Sequence, residues 1–207
     1  MNALIVVDVQ NDFVAGGALA VREGDRVIPV INQLMPRFRL VVATQDWHPP
    51  DHRSFAANHP GAHVGDVIDL HGLAQVLWPV HCVQDTRGAA FVATLDAGCF
   101  ARVFRKGVDR DVDSYSGFFD NGRRRATGLG DFLLERGVDS VFVCGLATDY
   151  CVKFTALDAR ALGFRTTLVR DACRGVELKA GDVEAAVAEM ERAEVRMIAS
   201  DEVAAAR

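Results

Sequence analysis

The sequence lacks the features that identify several specialised classes of protein. Its 207 residues include five cysteines at scattered positions, and no two of them are separated by two residues. The first residues, Met1–Asp8, have no basic region ahead of their apolar run, so we expect no export signal. Together these absences predict reduced thiols in a cytoplasmic protein rather than a disulfide framework. No apolar run approaches the length of a membrane span, and we expect no membrane partner.

An excess of positive charge is also missing. Lysine and arginine total 23 against 28 aspartate and glutamate residues, a formal net charge of -5. The nearest basic cluster, Arg123–Arg125, follows a glycine and precedes a helical pattern, which is typical of a solvated loop. We therefore expect no nucleic-acid partner. No repeat or low-complexity segment interrupts the chain, and its length predicts a single domain over residues 1–207.

Short apolar runs alternate with segments of helical spacing along the chain. Residues 48–84 are the exception, being loop-like and containing all six histidines. The alternation predicts a three-layer α/β/α domain with a parallel sheet of about six strands, in which ligands bind beyond the carboxyl ends of the strands. The predicted strands are 4–7, 40–44, 102–105, 138–144, 165–169 and 195–198; the predicted helices are about 25–37, 125–136, 152–162 and 181–193, with a weaker pattern at 92–100 and a short tail at 201–206.

Cys151 follows an apolar strand and begins a predicted helix. Free backbone N–H groups and the positive end of the helix dipole favour a thiolate at such a position. The same N–H groups can hold an oxyanion when the thiolate attacks a carbonyl. The alternative for a cysteine taken alone is a small buried apolar residue.

Two further reactive side chains end other predicted strands. Asp8 follows the first strand and can take the proton of the Cys151 thiol. Lys106 follows the third strand, and its charge would hold Asp8 and favour the thiolate. The backbone N–H groups of Ala147 and Cys151 would face the oxyanion. A turn-capping aspartate and a surface lysine are the alternatives for each residue alone, but the three together favour an acyl-transfer site.

A metal site is predicted beyond the second strand. Asp46 and His48 are two residues apart, so in extended chain both side chains point to one side. His81 and His52 are further candidate ligands in the histidine-containing loop. One carboxylate with two or three imidazoles suits one divalent ion such as zinc, iron or manganese. His59, His63 and His71 are expected to be ordinary surface residues.

These residues occur in motifs that resemble the nicotinamidase (pyrazinamidase) family of the isochorismatase-like cysteine hydrolase superfamily. The likeness covers nearly the whole chain. The superfamily motifs are Asp8-x-Gln10-x-Asp12-Phe13, Lys106 after a strand, and Gly145–Val152. The nicotinamidase motifs are Gln45–Pro49, Ser54-Phe55, Trp78–Cys82 and Tyr115–Asp120.

The resemblance implies a Rossmann-like isochorismatase hydrolase fold and hydrolysis of nicotinamide, and of pyrazinamide, through a thioester. It implies a role in the salvage of NAD and a metal that binds the pyridine nitrogen. Homo-oligomerisation is a further expectation, as is a cis peptide bond between Leu146 and Ala147. The resemblance assigns a triad of Asp8, Lys106 and Cys151, metal ligands Asp46, His48 and His81 with His52 added in some members, and a substrate pocket of Phe13, Trp78, Leu146 and Tyr115.

Three alternatives remain at this point. Another amidase of the superfamily, acting on a ureido or carbamoyl acid or another aromatic amide, would use the same triad without a metal directed at a pyridine. A redox or metal-binding protein would use the scattered thiols and release no ammonia. A catalytically inactive member would lack one of the triad residues, all of which are present here.

Overall fold

Six parallel strands form the central sheet in a computed structural model of the chain, which describes residues 1–203. The sheet order is β5-β2-β1-β6-β7-β8, and the two remaining strands form a separate antiparallel hairpin. This confirms the predicted parallel sheet. In chain order the strands are β1 (Asn2–Val7), β2 (Val41–Asp46), β3 (Val67–Leu70), β4 (Leu73–Val76), β5 (Arg102–Lys106), β6 (Ser140–Leu146), β7 (Arg165–Arg174) and β8 (Arg196–Ile198).

Within the described residues 1–203, four α-helices connect the strands: α1 (Val27–Leu34), α2 (Leu129–Glu135), α3 (Lys153–Ala161) and α4 (Asp182–Arg192). From β1 the chain passes through α1 to β2, whereas from β6 it passes through α3 to β7 on the other side of the sheet. Right-handed crossovers in opposite directions place their helices on opposite faces. The carboxyl ends of β1 and β6 therefore border a crevice, where ligands bind in sheets of this kind.

The central strands are apolar because the helices cover both of their faces. Residues 3–7 of β1 are all fully buried, as are Val141, Val143 and Cys144 of β6. Continuous apolar runs of this kind are typical of parallel strands inside a sheet. On α1, the buried stripe that faces the sheet consists of the adjacent residues Val27 and Ile28 and, one and two turns later, Ile31 and Leu34.

Two local predictions of helices were wrong. The helix predicted at about 125–136 begins at Leu129, because the Asp120 carboxylate accepts the N–H groups of Arg124 and Arg125 and holds the preceding turn open. Residues 92–100 contain one short turn, Ala97–Cys99, instead of a helix.

The loop predicted over 48–84 contains the hairpin of β3 and β4. His71 and Gly72 both have positive φ, which suits a two-residue hairpin turn. At the carboxyl end of the chain, the tail predicted at 201–206 lies partly outside the described residues, and its described part includes a turn at Ser200–Glu202. No helix within residues 1–203 has the length and apolar character needed to cross a bilayer.

Candidate active site

The turn between β6 and α3 carries Cys151. Thr148–Val152 forms a single π-helical turn, and the carbonyl of Ala147 accepts the N–H groups of Tyr150 and Val152, both at 3.1 Å. The expected cis peptide bond between Leu146 and Ala147 is present. Cys151 thus lies in the first turn beyond a central strand, as predicted.

Gly145 allows this turn to begin close to β1. It has a φ of 118°, and a Cβ atom there would lie 2.1 Å from the carbonyl oxygen of Val7. A side chain at this position would push β6 away from β1. The glycine therefore keeps the two strand ends, and the reactive residues that follow them, next to each other.

Lys106 is the centre of the predicted triad. Its Nζ lies 2.9 Å from Oδ2 of Asp8 and 2.5 Å from Oδ1 of Asp46. The same ammonium donates to the carbonyl of Ser114 at 2.8 Å and lies 3.3 Å from Sγ of Cys151. All four of these side chains are buried. The structure thus brings together the three residues that the sequence placed at separate strand ends.

Burial and the Lys106 ammonium act in opposite directions on the two carboxylates. Burial raises the pKa of Asp8 to about 6, although Lys106 and a 2.6 Å hydrogen bond from the Thr44 hydroxyl oppose the rise. Burial also acts to raise the pKa of Asp46, but Lys106 and the neighbouring histidines outweigh it and lower that pKa. Asp8 is therefore the more basic of the two carboxylates.

The pKa of the Cys151 thiol is shifted in the direction opposite to the sequence prediction. Burial raises its pKa well above the ordinary value, and the Lys106 charge offsets only part of this rise. Burial therefore favours the thiol, in opposition to the thiolate that a helix start favours. A carboxylate oxygen of Asp8 lies within 4.8 Å of Sγ, so a base is close enough to take the proton during the reaction.

Asp46, His48 and His81 form a compact group of ligand atoms within 4.8 Å of one another. Nε2 of His48 lies 3.7 Å, and Nε2 of His81 3.9 Å, from Oδ2 of Asp46. Nδ1 of His48 bonds to the carbonyl of Gly107 at 2.9 Å, and Nδ1 of His81 bonds to the carbonyl of Pro79 at 2.8 Å. Because a carbonyl only accepts, both Nδ1 atoms carry hydrogen and both Nε2 lone pairs are available to a metal. The donor set fits a divalent metal ion.

Gly107 shapes the space for this group. Its φ is 62°, and a Cβ atom there would lie 2.3 Å from Cε1 of His48. The glycine after β5 therefore leaves room for the His48 ring and supplies the carbonyl that orients it.

The other four histidines, His52, His59, His63 and His71, lie outside the group of Asp46, His48 and His81. His52, an additional candidate ligand, instead groups with His48 and Asp113. The side chain of His63 is 85% exposed and that of His71 is 51% exposed. His59 bonds to a backbone carbonyl in its own loop.

Cys151 and the triplet of Asp46, His48 and His81 line one pocket, whereas Asp8 and Lys106 are not among its lining residues. Of the predicted substrate-binding residues, Phe13, Trp78 and Tyr115 line it. Leu146 does not: its side chain is fully buried and packs towards Gly24. The lining residues absent from the predicted pocket are Leu19, Asp113, Tyr150 and Val176.

Gln10 connects the two sets of residues, and the sequence reasoning gave it no role. Its side-chain oxygen accepts the N–H of Asp46 at 2.8 Å, and its amide nitrogen donates to the carbonyls of Asp46 and Ala89. The spacing Asp8-x-Gln10 was the available signal, since it places an amide two residues beyond the Asp8 carboxylate. Gln10 fixes the backbone at the end of β2 relative to the end of β1.

Comparison with known proteins agrees with this geometry. The model of the Isochorismatase domain matches residues 2–202. The chain is 50% identical over 195 residues to a nicotinamidase of Escherichia coli, covering 92% of this chain and 91% of that protein.

Solved structures of nicotinamidases and pyrazinamidases are also similar to this chain. An Acinetobacter baumanii nicotinamidase/pyrazinamidase superposes with a TM-score of 0.95 at 48% identity, covering 98% and 97% of the two chains. An L. infantum protein in complex with nicotinate has a TM-score of 0.85 at 39% identity and coverage of 97% and 93%. A Pyrococcus horikoshii pyrazinamidase in complex with zinc has a TM-score of 0.78 at 40% identity and coverage of 96% and 98%.

Proposed function

Because the chain belongs to the nicotinamidase family of isochorismatase-like hydrolases, we propose that its pocket is a nicotinamidase active site. The enzyme hydrolyses nicotinamide to nicotinate and ammonia, and acts on pyrazinamide as a second substrate. One observation carries this conclusion: Cys151, which lies 3.3 Å from Nζ of Lys106 and within 4.8 Å of an Asp8 carboxylate oxygen, lines the same pocket as the triplet of Asp46, His48 and His81.

Asp8 is the base in the first half of the reaction. Its carboxylate takes the thiol proton as Sγ of Cys151 attacks the carboxamide carbon, and the N–H groups of Ala147 and Cys151 stabilise the oxyanion. Lys106 compensates the buried negative charge throughout. Asp8 then passes the proton to the departing nitrogen, the C–N bond breaks, and ammonia leaves a thioester on Cys151.

The same residues complete the reaction. Asp8 takes a proton from a water molecule that attacks the thioester carbon, and the C–S bond breaks. The proton held by Asp8 returns to the Cys151 sulfur, and nicotinic acid leaves and gives its carboxyl proton to solvent, which yields nicotinate. A carboxyl group with a pKa near 6 suits both directions of transfer, because it exchanges protons readily near neutral pH.

Asp46, His48 and His81 would hold one divalent ion, with zinc, iron and manganese as the candidates. When bound, the ion supplies a Lewis acid for the pyridine nitrogen and so fixes the orientation of the ring. The side chains of Phe13 and Trp78 line the space for that ring. A flat substrate held in this way keeps its carboxamide close to the thiol.

The rest of the proposal concerns the whole protein. We propose a single domain over residues 1–207 that acts in the cytoplasm, in the salvage of NAD, and assembles as a homo-oligomer. Chromatography with light scattering on the purified protein tests the last point.

Ammonia release from nicotinamide by the purified protein tests the reaction. We expect release that is lost on chelation, that is restored by zinc, iron or manganese, and that disappears in Cys151→Ala. Cys99→Ala is the matched control, because Cys99 is an exposed thiol away from the pocket. Release that survives thorough removal of metal would disprove the metal's role.

The runner-up function is hydrolysis of ureido or carbamoyl acids by the same triad. The buried triplet disfavours it, since those substrates have no pyridine nitrogen to bind. If no metal loading gives ammonia from nicotinamide, the nicotinamidase assignment is wrong and these substrates should be tested next.

A further inference from the structure

A further group of ligand-type atoms lies at the triad itself. A carboxylate oxygen of Asp8, one of Asp46 and the sulfur of Cys151 lie within 4.8 Å of one another, and all three residues are buried. Metal–ligand bonds of about 2.0–2.3 Å allow one ion to contact atoms at separations of this size. A thiolate with two carboxylates suits a thiophilic divalent ion such as zinc or cadmium.

The ammonium of Lys106 occupies the space between these atoms. Its Nζ lies 2.9 Å from Oδ2 of Asp8, 2.5 Å from Oδ1 of Asp46 and 3.3 Å from Sγ of Cys151. The carbonyl of Ser114 is a fourth neighbour, at 2.8 Å. Lys106 thus places a positive charge where a metal ion would contact the same three side chains. Because this cation is covalently attached, it cannot dissociate.

The contact between Lys106 and Asp8 is an ion pair rather than a hydrogen bond. Oδ1 of Asp8 accepts the hydroxyl of Thr44, whereas its buried Oδ2 has no hydrogen-bond partner within residues 1–203. The attraction therefore comes from charge, which a metal ion would also supply. Removing the ammonium would leave the Asp8 carboxylate without compensation, and a buried charge in that state is strongly unfavourable.

Asp46 connects this group to the metal ligands described above. Its Oδ2 faces Nε2 of His48 and of His81 at 3.7 and 3.9 Å, while its Oδ1 faces Lys106. A carboxylate with one oxygen towards each of two cations is suited to bridge a pair of metal ions, which in two-metal enzymes lie about 3.5–4 Å apart. A second ion here would bind Sγ of Cys151, and a sulfur lone pair held by a metal cannot attack a carbonyl carbon.

We propose that Lys106, in addition to its part in the reaction, excludes a second divalent ion from the group of Asp8, Asp46 and Cys151. The ammonium fills the position of that ion and repels it. The Cys151 sulfur therefore stays free while the triplet of Asp46, His48 and His81 holds its own ion. This inference rests on the metal role proposed above, because Asp46 belongs to both groups.

Cadmium is the probe, because a cadmium–thiolate bond has an ultraviolet charge-transfer band that carboxylate and imidazole ligands do not give. The protein would be dialysed against excess cadmium, its bound ions counted by elemental analysis, and its difference spectrum recorded against the metal-free protein. All proteins carry Cys99→Ala, since Cys99 is an exposed thiol that would bind cadmium by itself. Lys153→Ala is the matched control, because Lys153 pairs with Glu189 and does not line the active-site pocket.

We expect Lys106→Ala to bind one cadmium ion more than the Lys153→Ala control, and to gain the thiolate band that the unaltered protein lacks. As the ion binds, the Cys151 thiol releases its proton to the buffer. Adding Cys151→Ser to Lys106→Ala should remove the band and most of the additional cadmium. Lys106→Ser leaves similar space and offers Asp8 a hydroxyl, so it decides the question if Lys106→Ala does not fold.

Three results would overturn the inference. A thiolate band in the unaltered protein would show that Lys106 does not keep metal away from Cys151. Lys106→Ala or Lys106→Ser in folded form, with the cadmium content and spectrum of the control, would show that the three side chains do not form a metal site. Failure of both variants to fold in the presence of cadmium would also count against it, because bound cadmium should stabilise them.

Failure of the proposed metal role gives a different result. Equal cadmium contents in the unaltered protein and His48→Ala would disprove that role for the triplet. A thiolate band confined to Lys106→Ala would, in that case, still support the exclusion of metal by Lys106.

Discussion

Asp149 connects the turn that carries Cys151 to a wall of the pocket. Its buried carboxylate accepts the N–H groups of Val176 and Glu177 at 2.9 and 2.7 Å, and Val176 lines the pocket. Replacing Asp149 with alanine leaves both N–H groups without this acceptor. We expect the segment at 176–177 to loosen, and both stability and substrate binding to decrease.

The structure sets the size of this effect. A hydrogen bond to a charged group contributes about 1.5–3 kcal/mol, and the two N–H groups are only partly buried, so the lower value applies to each. Asp149→Ala should therefore cost about 3 kcal/mol. For a chain of this length that corresponds to a fall in Tm of about 6–12 °C. The KM for nicotinamide should rise more than kcat falls, because Val176 faces the pocket while the triad is unaltered.

Differential scanning fluorimetry and steady-state ammonia release measure the two effects. Asp158→Ala is the matched control: the Asp158 side chain, 13% exposed, pairs with the Arg123 side chain, 56% exposed, and a pair that solvent reaches contributes about 0.2–1 kcal/mol. If Asp149→Ala lowers Tm no more than Asp158→Ala does, and KM is unchanged, then Asp149 does not hold the segment and the reasoning is wrong.

Three more predictions concern the site. The kcat/KM for nicotinamide, measured with excess metal, should fall as the pH drops through about 6, because Asp8 with its raised pKa becomes protonated and can no longer act as the base; a rate that stays constant down to pH 4.5 would contradict this. Gly107→Ala should weaken metal binding more than 10-fold by displacing the His48 ring. Gly128→Ala is the control, because Gly128 also has a positive φ but a Cβ there has no atom within 4 Å, and it should cost only about 1 kcal/mol of stability. Equal metal affinities in the two variants would show that Gly107 is not needed to make room for His48. Tyr150→Ala should raise KM about 2–10-fold with little change in kcat, because its ring packs at 4.8 Å on Trp78 beside the pocket; a large loss of kcat alone would argue for a catalytic role of Tyr150 instead.

The sequence predicted those parts of the site that follow from where each parallel strand ends. Asp8, Asp46, Lys106 and Cys151 each lie at or beyond the carboxyl end of a parallel strand, and the carboxyl ends of parallel strands share one edge of the sheet. Local spacing was therefore enough to bring these four residues together.

Features that depend on packing could not be predicted in this way. Leu146 was expected in the pocket, but its side chain is fully buried and lies near Gly24, which is far away in the sequence. The thiol state of Cys151 is set by burial from several elements at once. The role of Gln10 depends on hydrogen bonds to residues 36 and 79 positions away.

The adjacency of β1 and β6 has a consequence for how the enzyme becomes active. Asn2 pairs with Ser140, and Val7 pairs with Gly145. β1 and β6 border the same crevice, but β6 is synthesised long after β1. Contacts between such distant segments form late in folding because a long loop must close first. On the ribosome, Asp8 emerges among the first residues but has no nucleophile beside it until more than two thirds of the protein has been synthesised. Recovery of activity during refolding should therefore report closure of the sheet, and should lag behind signals from locally formed helices.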